Sequence, residues 1–212
     1  MADDDATRVA YDTVAAAYAD LLRDELASKP FDRAVLRVFA ERVLDDGGGR
    51  VADLGCGPGR VAAHLDALDL DVFGVDLSAA MVAVAQREHP HLTFSTGSMA
   101  SVDVADGGLA GVVAWYSIIH TPPEEHPDLF VEWARAVRAG GHLLVAFQVG
   151  DEHARLEQAY GHAISLDVYR LDPDAVSAQL ERAGFAPVAR VVTEPVGQER
   201  HRQAFLMAQR DA

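Results

Sequence analysis

The stretch Val51-Ala52-Asp53-Leu54-Gly55-Cys56-Gly57-Pro58-Gly59-Arg60 constrains this chain more than any other. Small apolar residues and an aspartate read as the end of a buried strand. Three glycines at alternate positions then turn the chain into a helix that begins near Arg60. Without a Cβ, Gly55, Gly57 and Gly59 let the backbone turn tightly and let a ligand lie against the main chain. Free N–H groups at the start of the next helix favour an electron-rich or anionic group. A dinucleotide fingerprint, G-x-G-x-x-G, places its third glycine where Arg60 stands. Here that glycine comes one residue early, which argues against a dinucleotide. The next strand, Asp71-Val72-Phe73-Gly74-Val75-Asp76, ends in an acid about 20 residues after the first glycine, where a carboxylate can grip both hydroxyls of a ribose. Glycine turn and acidic strand end together specify a nucleoside-containing cofactor.

Composition narrows the class. A chain of 212 residues, half of them hydrophobic, suits one globular domain with a full-sized core. A formal net charge of −15 argues against a nucleic-acid partner, which needs clustered Lys and Arg. The single cysteine, Cys56, sits inside the glycine turn and fits a reducing, cytoplasmic setting. The start, Met-Ala-Asp-Asp-Asp, has no signal-peptide pattern, and no apolar run is long enough for a bilayer, so no membrane association is expected.

Residues 1–6 read as a frayed acidic leader. From Thr7, Tyr11, Val14, Tyr18, Leu21 and Leu22 fall on one helical face, and Pro30 closes that region. A second helix follows with Phe31, Val35, Val38, Phe39 and Val43 inward. Strands are expected at about 50–54, 71–75, 92–95, 111–116 and 141–148, alternating with helices near 59–68, 78–89 and 127–139. Ser78 caps the second of these helices and Gly140 ends the third; Thr121 to Glu124 form a capped turn before the third. Residues 116–121 then fall at the carboxyl edge of the sheet, where open α/β sheets bind ligands. The polar stretch 150–162 interrupts the alternation, and 166–169 is a short strand or extended cover. A helix from Asp172-Pro173 with Val176, Leu180 and Ala183 inward stops at Gly184; strands at about 185–194 and 202–209, turning at Gly197, finish the chain. The organisation is one α/β domain over 1–212, with a helical cap at 1–45 and a substrate-side insertion at 150–170.

Val51–Arg60 followed by Gly74-Val75-Asp76-Leu77-Ser78 resembles motif I and the following acidic motif of the class I S-adenosylmethionine (SAM) dependent methyltransferases. The resemblance implies a Rossmann-like, doubly wound sheet of seven strands, mostly parallel, ending in an antiparallel hairpin. It implies that Asp53, Gly55, Cys56 and Gly57 hold the methionine part of SAM, that Asp76 accepts from the ribose, and that Leu77 and Met81 lie against adenine. Gly97, Ser98 and Met99 stand where the family reads the adenine amine, with Ser98 in place of a common aspartate. Tyr11-Asp12-Thr13-Val14-Ala15-Ala16-Ala17-Tyr18 is similar to a segment that closes over SAM in small-molecule members, so Tyr11 and Tyr18 are cofactor candidates.

Methyl transfer from a sulfonium is an in-line displacement, so the protein mainly aligns the acceptor and excludes water. Tyr116, Ser117 and His120 follow the fourth strand, on the methyl side of the cofactor; Tyr116 and Ser117 are cofactor candidates, and Tyr116 also counts with His120 among the catalytic ones. His120 is the general-base candidate, or else it orders the bend at Thr121–Pro123. His120, His153, Tyr160, His162 and Tyr169 are candidates for the acceptor pocket. His120-Thr121-Pro122-Pro123-Glu124 lacks the leading acid or amide and the aromatic of the family's Asp/Asn-Pro-Pro-Tyr motif, and no residues suggest a metal site. The expected activity is methylation of a small organic acceptor, at oxygen or nitrogen with carbon or sulfur as the alternatives, releasing S-adenosylhomocysteine (SAH), by a monomer or homodimer. The rivals are a non-catalytic SAM-binding subunit or sensor and an NAD-dependent oxidoreductase.

Overall fold

Strands that are apolar on both faces cannot face water, so they stack side by side under helices. The computed structural model, which describes residues 4–197 and 199–212, has this arrangement. In chain order its elements are α1 (Asp4–Leu22), α2 (Glu25–Ser28), α3 (Pro30–Asp45), β1 (Val51–Leu54), α4 (Arg60–Asp66), β2 (Val72–Asp76), α5 (Ala79–Glu88) and β3 (Thr93–Thr96). There follow β4 (Leu109–Trp115), a 3-10 turn (Ile118–His120), α6 (His126–Ala136), β5 (Val137–Gln148), β6 (His153–Ala159), β7 (His162–Tyr169), α7 (Pro173–Arg182), β8 (Phe185–Thr193) and β9 (Gln203–Arg210).

Seven strands form one sheet in the order β3-β2-β1-β4-β5-β9-β8. The first five pair in parallel, and β9 runs antiparallel between β5 and β8. The order reverses between β1 and β4, which makes their carboxyl ends the crevice for a ligand. One face of the sheet packs Phe39, Val61, Leu65, Val113 and Phe205; the other packs Val112, Phe130, Trp133, Phe147 and Leu180. These side chains are buried, and each contributes on the order of 2 kcal/mol by leaving water.

Several expectations are corrected. Asp4 to Ala6 belong to α1 rather than to a frayed leader, of which residues 1–3 lie outside the described residues. On α1, Leu21 is exposed. On α3, Phe31 and Val38 are exposed, and the inward stripe is Asp32, Leu36, Phe39, Ala40 and Val43, positions that recur at helical spacing and leave 31 and 38 off that face. Gly140 does not end α6. The helix stops at Ala136, Val137 pairs at once with Leu109, and Gly140, at φ +73°, sits in the bulge before Gly111 pairs with His142. Thr121 makes no cap; Glu125 holds the cap position of α6.

Ser78 caps α5 as expected, accepting from Met81 N–H, and Asp172, where a helix start is expected, caps α7 by accepting from Asp174 N–H. Segment 150–170 forms a second, two-stranded sheet of β6 and β7, turning at Tyr160 and Gly161 with φ +53° and +80°. Ile164, Leu166 and Val168 of β7 face the body of the domain, and β7 packs along α1 and the 3-10 turn. Among the described residues no helix is long and apolar enough to cross a membrane.

Candidate functional site

The glycine turn sets the floor of the site. Gly55 holds φ +75°, and a Cβ there would come 2.3 Å from Cβ of Ser117. Only glycine lets the end of β1 pass this close to the end of β4. Gly55→Ala should therefore destabilise the fold by roughly 2–4 kcal/mol through clash and strain. Urea denaturation checks this, and a change below about 0.5 kcal/mol would contradict it. At Gly57, φ +53°, a Cβ would meet only the Tyr18 ring, at 3.9 Å, so open space lies between turn and tyrosine.

Asp76 is tied to that floor. Its Oδ2 accepts from Gly57 N–H at 2.7 Å and its Oδ1 from Ser78 N–H at 2.8 Å. Burial raises its pKa, and these two N–H groups oppose the rise. Its remaining lone pairs are available to a ligand.

Above the turn, α1 forms the roof. Asp12 accepts from the Ser78 hydroxyl (2.6 Å) and Ala80 N–H (3.1 Å), and pairs with Arg8 (3.0 Å), which fastens α1 to the start of α5. Tyr11 and Tyr18 meet edge to face at 5.9 Å, and Tyr18 meets Tyr160 at 5.1 Å. The Tyr11 hydroxyl lies 2.7 Å from Nε2 of His120, whose Nδ1 lies 2.9 Å from the Asp167 carbonyl. A carbonyl only accepts, so Nδ1 carries the proton and Nε2 takes the hydrogen bond from Tyr11. Burial lowers the His120 pKa, which keeps the ring neutral.

Floor and roof enclose a cleft with about 760 Å³ of space between its walls, part of it open to solvent. Tyr11, Tyr18, Gly55, Gly57, Asp76, Leu77, Met81, Gly97, Ser98, Met99, Tyr116, Ser117 and His120 line it, so most of the sequence candidates converge on one space. Ser117 Oγ is buried without a partner among the described residues. Tyr116 stands at φ +57°, a conformation rare for a bulky residue.

Six candidates do not line the cleft. Asp53 is wholly buried below the turn; its Oδ2 accepts from Ala62 N–H at 3.0 Å, which pins the start of α4, while Oδ1 has no partner among the described residues. Burial pushes its carboxyl up to about 7, against the pull of Arg60. Cys56 turns its thiol into the core against Gly74, and its N–H is spent on the Val75 carbonyl. His153 and Tyr169 are cross-strand partners whose rings stack at 4.5 Å, on the face of β7 opposite to Leu166 and Val168. His162 is exposed, and Tyr160 reaches the roof only through Tyr18.

Asp4, Thr7, Arg8, Ser78, Trp115 and Thr121 line the cleft without having been named as site residues from sequence. The first three share the α1 face of Tyr11 and Tyr18, since residues 4, 8, 11 and 18 recur at helical spacing.

The site fits a SAM-type ligand on the structure's own terms. It offers the anchored carboxylate of Asp76 where a ribose would lie and a glycine floor left open at Gly57.

Residues 51–141 match the methyltransferase domain family. The ubiquinone/menaquinone biosynthesis C-methyltransferase UbiE of Rubrivivax gelatinosus is 38% identical over 103 residues, covering 48% of this chain and 40% of the relative. The malonyl-[acyl-carrier protein] O-methyltransferase of Enterobacter lignolyticus is 26% identical over 137 residues, 65% of this chain and 52% of the relative. The chain thus spans about half the length of these curated relatives. The magnesium protoporphyrin IX methyltransferase of Synechocystis, crystallised with SAM, superposes with a TM-score of 0.75 at 18% identity, covering 100% of this chain and 98% of that one. Residues 51–141 are thus similar to a methyltransferase domain, and the chain as a whole shares the fold of the Synechocystis enzyme.

Proposed function

We propose that the chain transfers a methyl group from SAM to a small organic acceptor, at oxygen or nitrogen, and releases SAH. The observation that carries this is one cleft in which the glycine turn, the anchored carboxylate of Asp76 and the tyrosine roof meet. Gly55, Gly57 and Asp76 hold the cofactor's methionine and ribose, and Asp53 supports the turn from beneath by pinning the start of α4. Leu77, Met81 and the segment Gly97–Met99 border its adenine. When bound, SAM supplies an electrophilic methyl group on a sulfonium.

The chain's own part is alignment, exclusion of water and removal of one proton. The neutral Nε2 of His120 points at the Tyr11 hydroxyl, so the acceptor's proton passes to the Tyr11 oxygen as the Tyr11 proton passes to Nε2. The Asp167 carbonyl, held by Nδ1–H, then steadies the imidazolium. The bland role, a histidine that merely orders the bend after Ile118, leaves the buried Tyr11 pairing without a purpose.

The acidic surface favours a small molecule over nucleic acid, and the lone buried thiol suits a cytoplasmic setting. A monomer or homodimer is proposed, with the domain boundaries at 1–212, the cap at 1–45 and the insertion at 150–170. A panel of small alcohols, phenols and amines with SAM, read by SAH release, tests the activity. Turnover of one acceptor is expected; SAM binding without turnover of any would favour the non-catalytic sensor.

A further inference from the structure

Three consecutive residues at the carboxyl end of β4 carry polar atoms with nothing to bond. Nε1 of Trp115, Oη of Tyr116 and Oγ of Ser117 are each buried and have no hydrogen-bond partner among the described residues. All three residues line the cleft that Floor and roof enclose. Trp115 is 5% exposed and Ser117 8%, and the Trp115 and Tyr116 rings meet edge to face at 5.8 Å.

The chain's other tryptophan shows how this fold treats an indole that serves packing alone. Trp133 Nε1 donates to the Met99 carbonyl at 2.9 Å. Trp115 packs on Phe205, 5.3 Å between ring centres, yet its N–H finds no acceptor among the described residues. A buried donor left empty costs stability, and a run of three has its explanation in a ligand that completes them. Tyr116, at φ +57°, adds a strained backbone at the same point, and such strain gathers at ligand sites.

The missing partner has a definite chemistry. An indole N–H only donates, so the ligand must bring an acceptor, which a protonated amine lacks. A carboxylate would carry its charge into a cleft that holds Asp76 and whose lining arginine, Arg8, is engaged by Asp5 and Asp12. A neutral carbonyl oxygen accepts two hydrogen bonds and brings no charge. The Tyr116 and Ser117 hydroxyls turn about their C–O bonds, so either can add to the bond from the indole.

This wall is on the proposed methyl side of the cleft: three residues after Ser117 stands His120, which faces Tyr11. We propose that the end of β4 is the acceptor subsite, and that it takes a compound whose hydroxyl is conjugated to a carbonyl, with the carbonyl oxygen on Trp115 Nε1 and the Tyr116 and Ser117 hydroxyls beside it. The assignment rests on the methyltransferase reading above. As the hydroxyl proton leaves toward Tyr11 and His120, conjugation moves negative charge onto the carbonyl oxygen, where the donors of this wall stabilise it. Burial leaves His120 a weak base, and a conjugated carbonyl makes the hydroxyl more acidic to match. The wall itself makes and breaks no covalent bond.

The two indole N–H signals, followed by NMR in the full chain with and without SAH, report on this wall directly. The probes are 4-hydroxyacetophenone and 4-ethylphenol, which has a methylene in place of the carbonyl. With SAH present, 4-hydroxyacetophenone should move the Trp115 N–H downfield, leave the Trp133 N–H in place, and bind about tenfold more tightly than 4-ethylphenol. Trp115→Phe, which keeps a ring without the N–H and assigns the signal, should bring the two phenols within about twofold. Ser117→Ala, which removes only a hydroxyl, should narrow the gap to about threefold. A Trp115 signal that stays in place, an equal shift with 4-ethylphenol, or a preference undiminished in both variants would overturn the subsite. So would an equal downfield shift with SAH alone, since the oxygen would then be the cofactor's own. If 4-hydroxyacetophenone moves the Trp115 signal but SAH never binds, the carbonyl site stands and the methyltransferase reading falls.

Discussion

Asp76→Ala is expected to weaken SAH binding by about 100-fold or more. Two hydrogen bonds from ribose hydroxyls to a buried carboxylate are each worth roughly 1.5–3 kcal/mol, and the substitution removes both. It also releases Gly57 N–H and Ser78 N–H, which the carboxylate now holds at 2.7 and 2.8 Å, so the glycine turn and the start of α5 lose their common anchor. Asp76→Asn keeps one accepting oxygen and should fall between the two. Calorimetry on variants with a wild-type circular dichroism spectrum separates lost affinity from lost fold. Wild-type affinity in Asp76→Ala would mean that the nucleoside lies elsewhere.

His120→Ala should cut turnover by about 10²-fold while leaving SAH affinity nearly unchanged. The reason is the fixed tautomer: Nδ1–H on the Asp167 carbonyl leaves Nε2 as the only basic atom, and it faces Tyr11. Tyr11→Phe interrupts the same proton path, so its effect should be similar, and the double variant should be little worse than either single one. Additive losses would give the two residues separate roles. Unchanged turnover in His120→Ala would leave the histidine as a structural link between the 3-10 turn and β7.

The parts of the fold that were legible from sequence carry local chemistry. The turn from Gly55 to Gly59 needs glycine for its positive φ, and Ser78 and Asp172 cap helices with their own oxygens, so each declares itself within a few residues. The errors arise where a distant partner decides. Gly140 looks like a helix stop, but pairing of Val137 with Leu109 ends α6 earlier and leaves the glycine to a bulge. Nothing local shows that Cys56 faces Gly74 or that Asp53 serves α4, because both depend on how α4 and β2 settle around the turn.

The β6–β7 ribbon was hidden for another reason. β6 buries almost nothing, so its sequence does not alternate, and the pair is held instead by cross-strand contacts such as Arg155 with Ser165 and His153 with Asp167. A Tyr160-Gly161 turn also lacks the asparagine or aspartate that usually marks such a hairpin. The cleft residues on α1 were readable in principle, since helical spacing from Tyr11 and Tyr18 leads straight to Asp4 and Arg8.

Calorimetric titration of the chain with SAH and, in parallel, with NAD tests the central claim most directly. The account predicts one SAH bound per chain and no heat from NAD. Saturable NAD binding, or no binding of SAH to the folded chain, would contradict it.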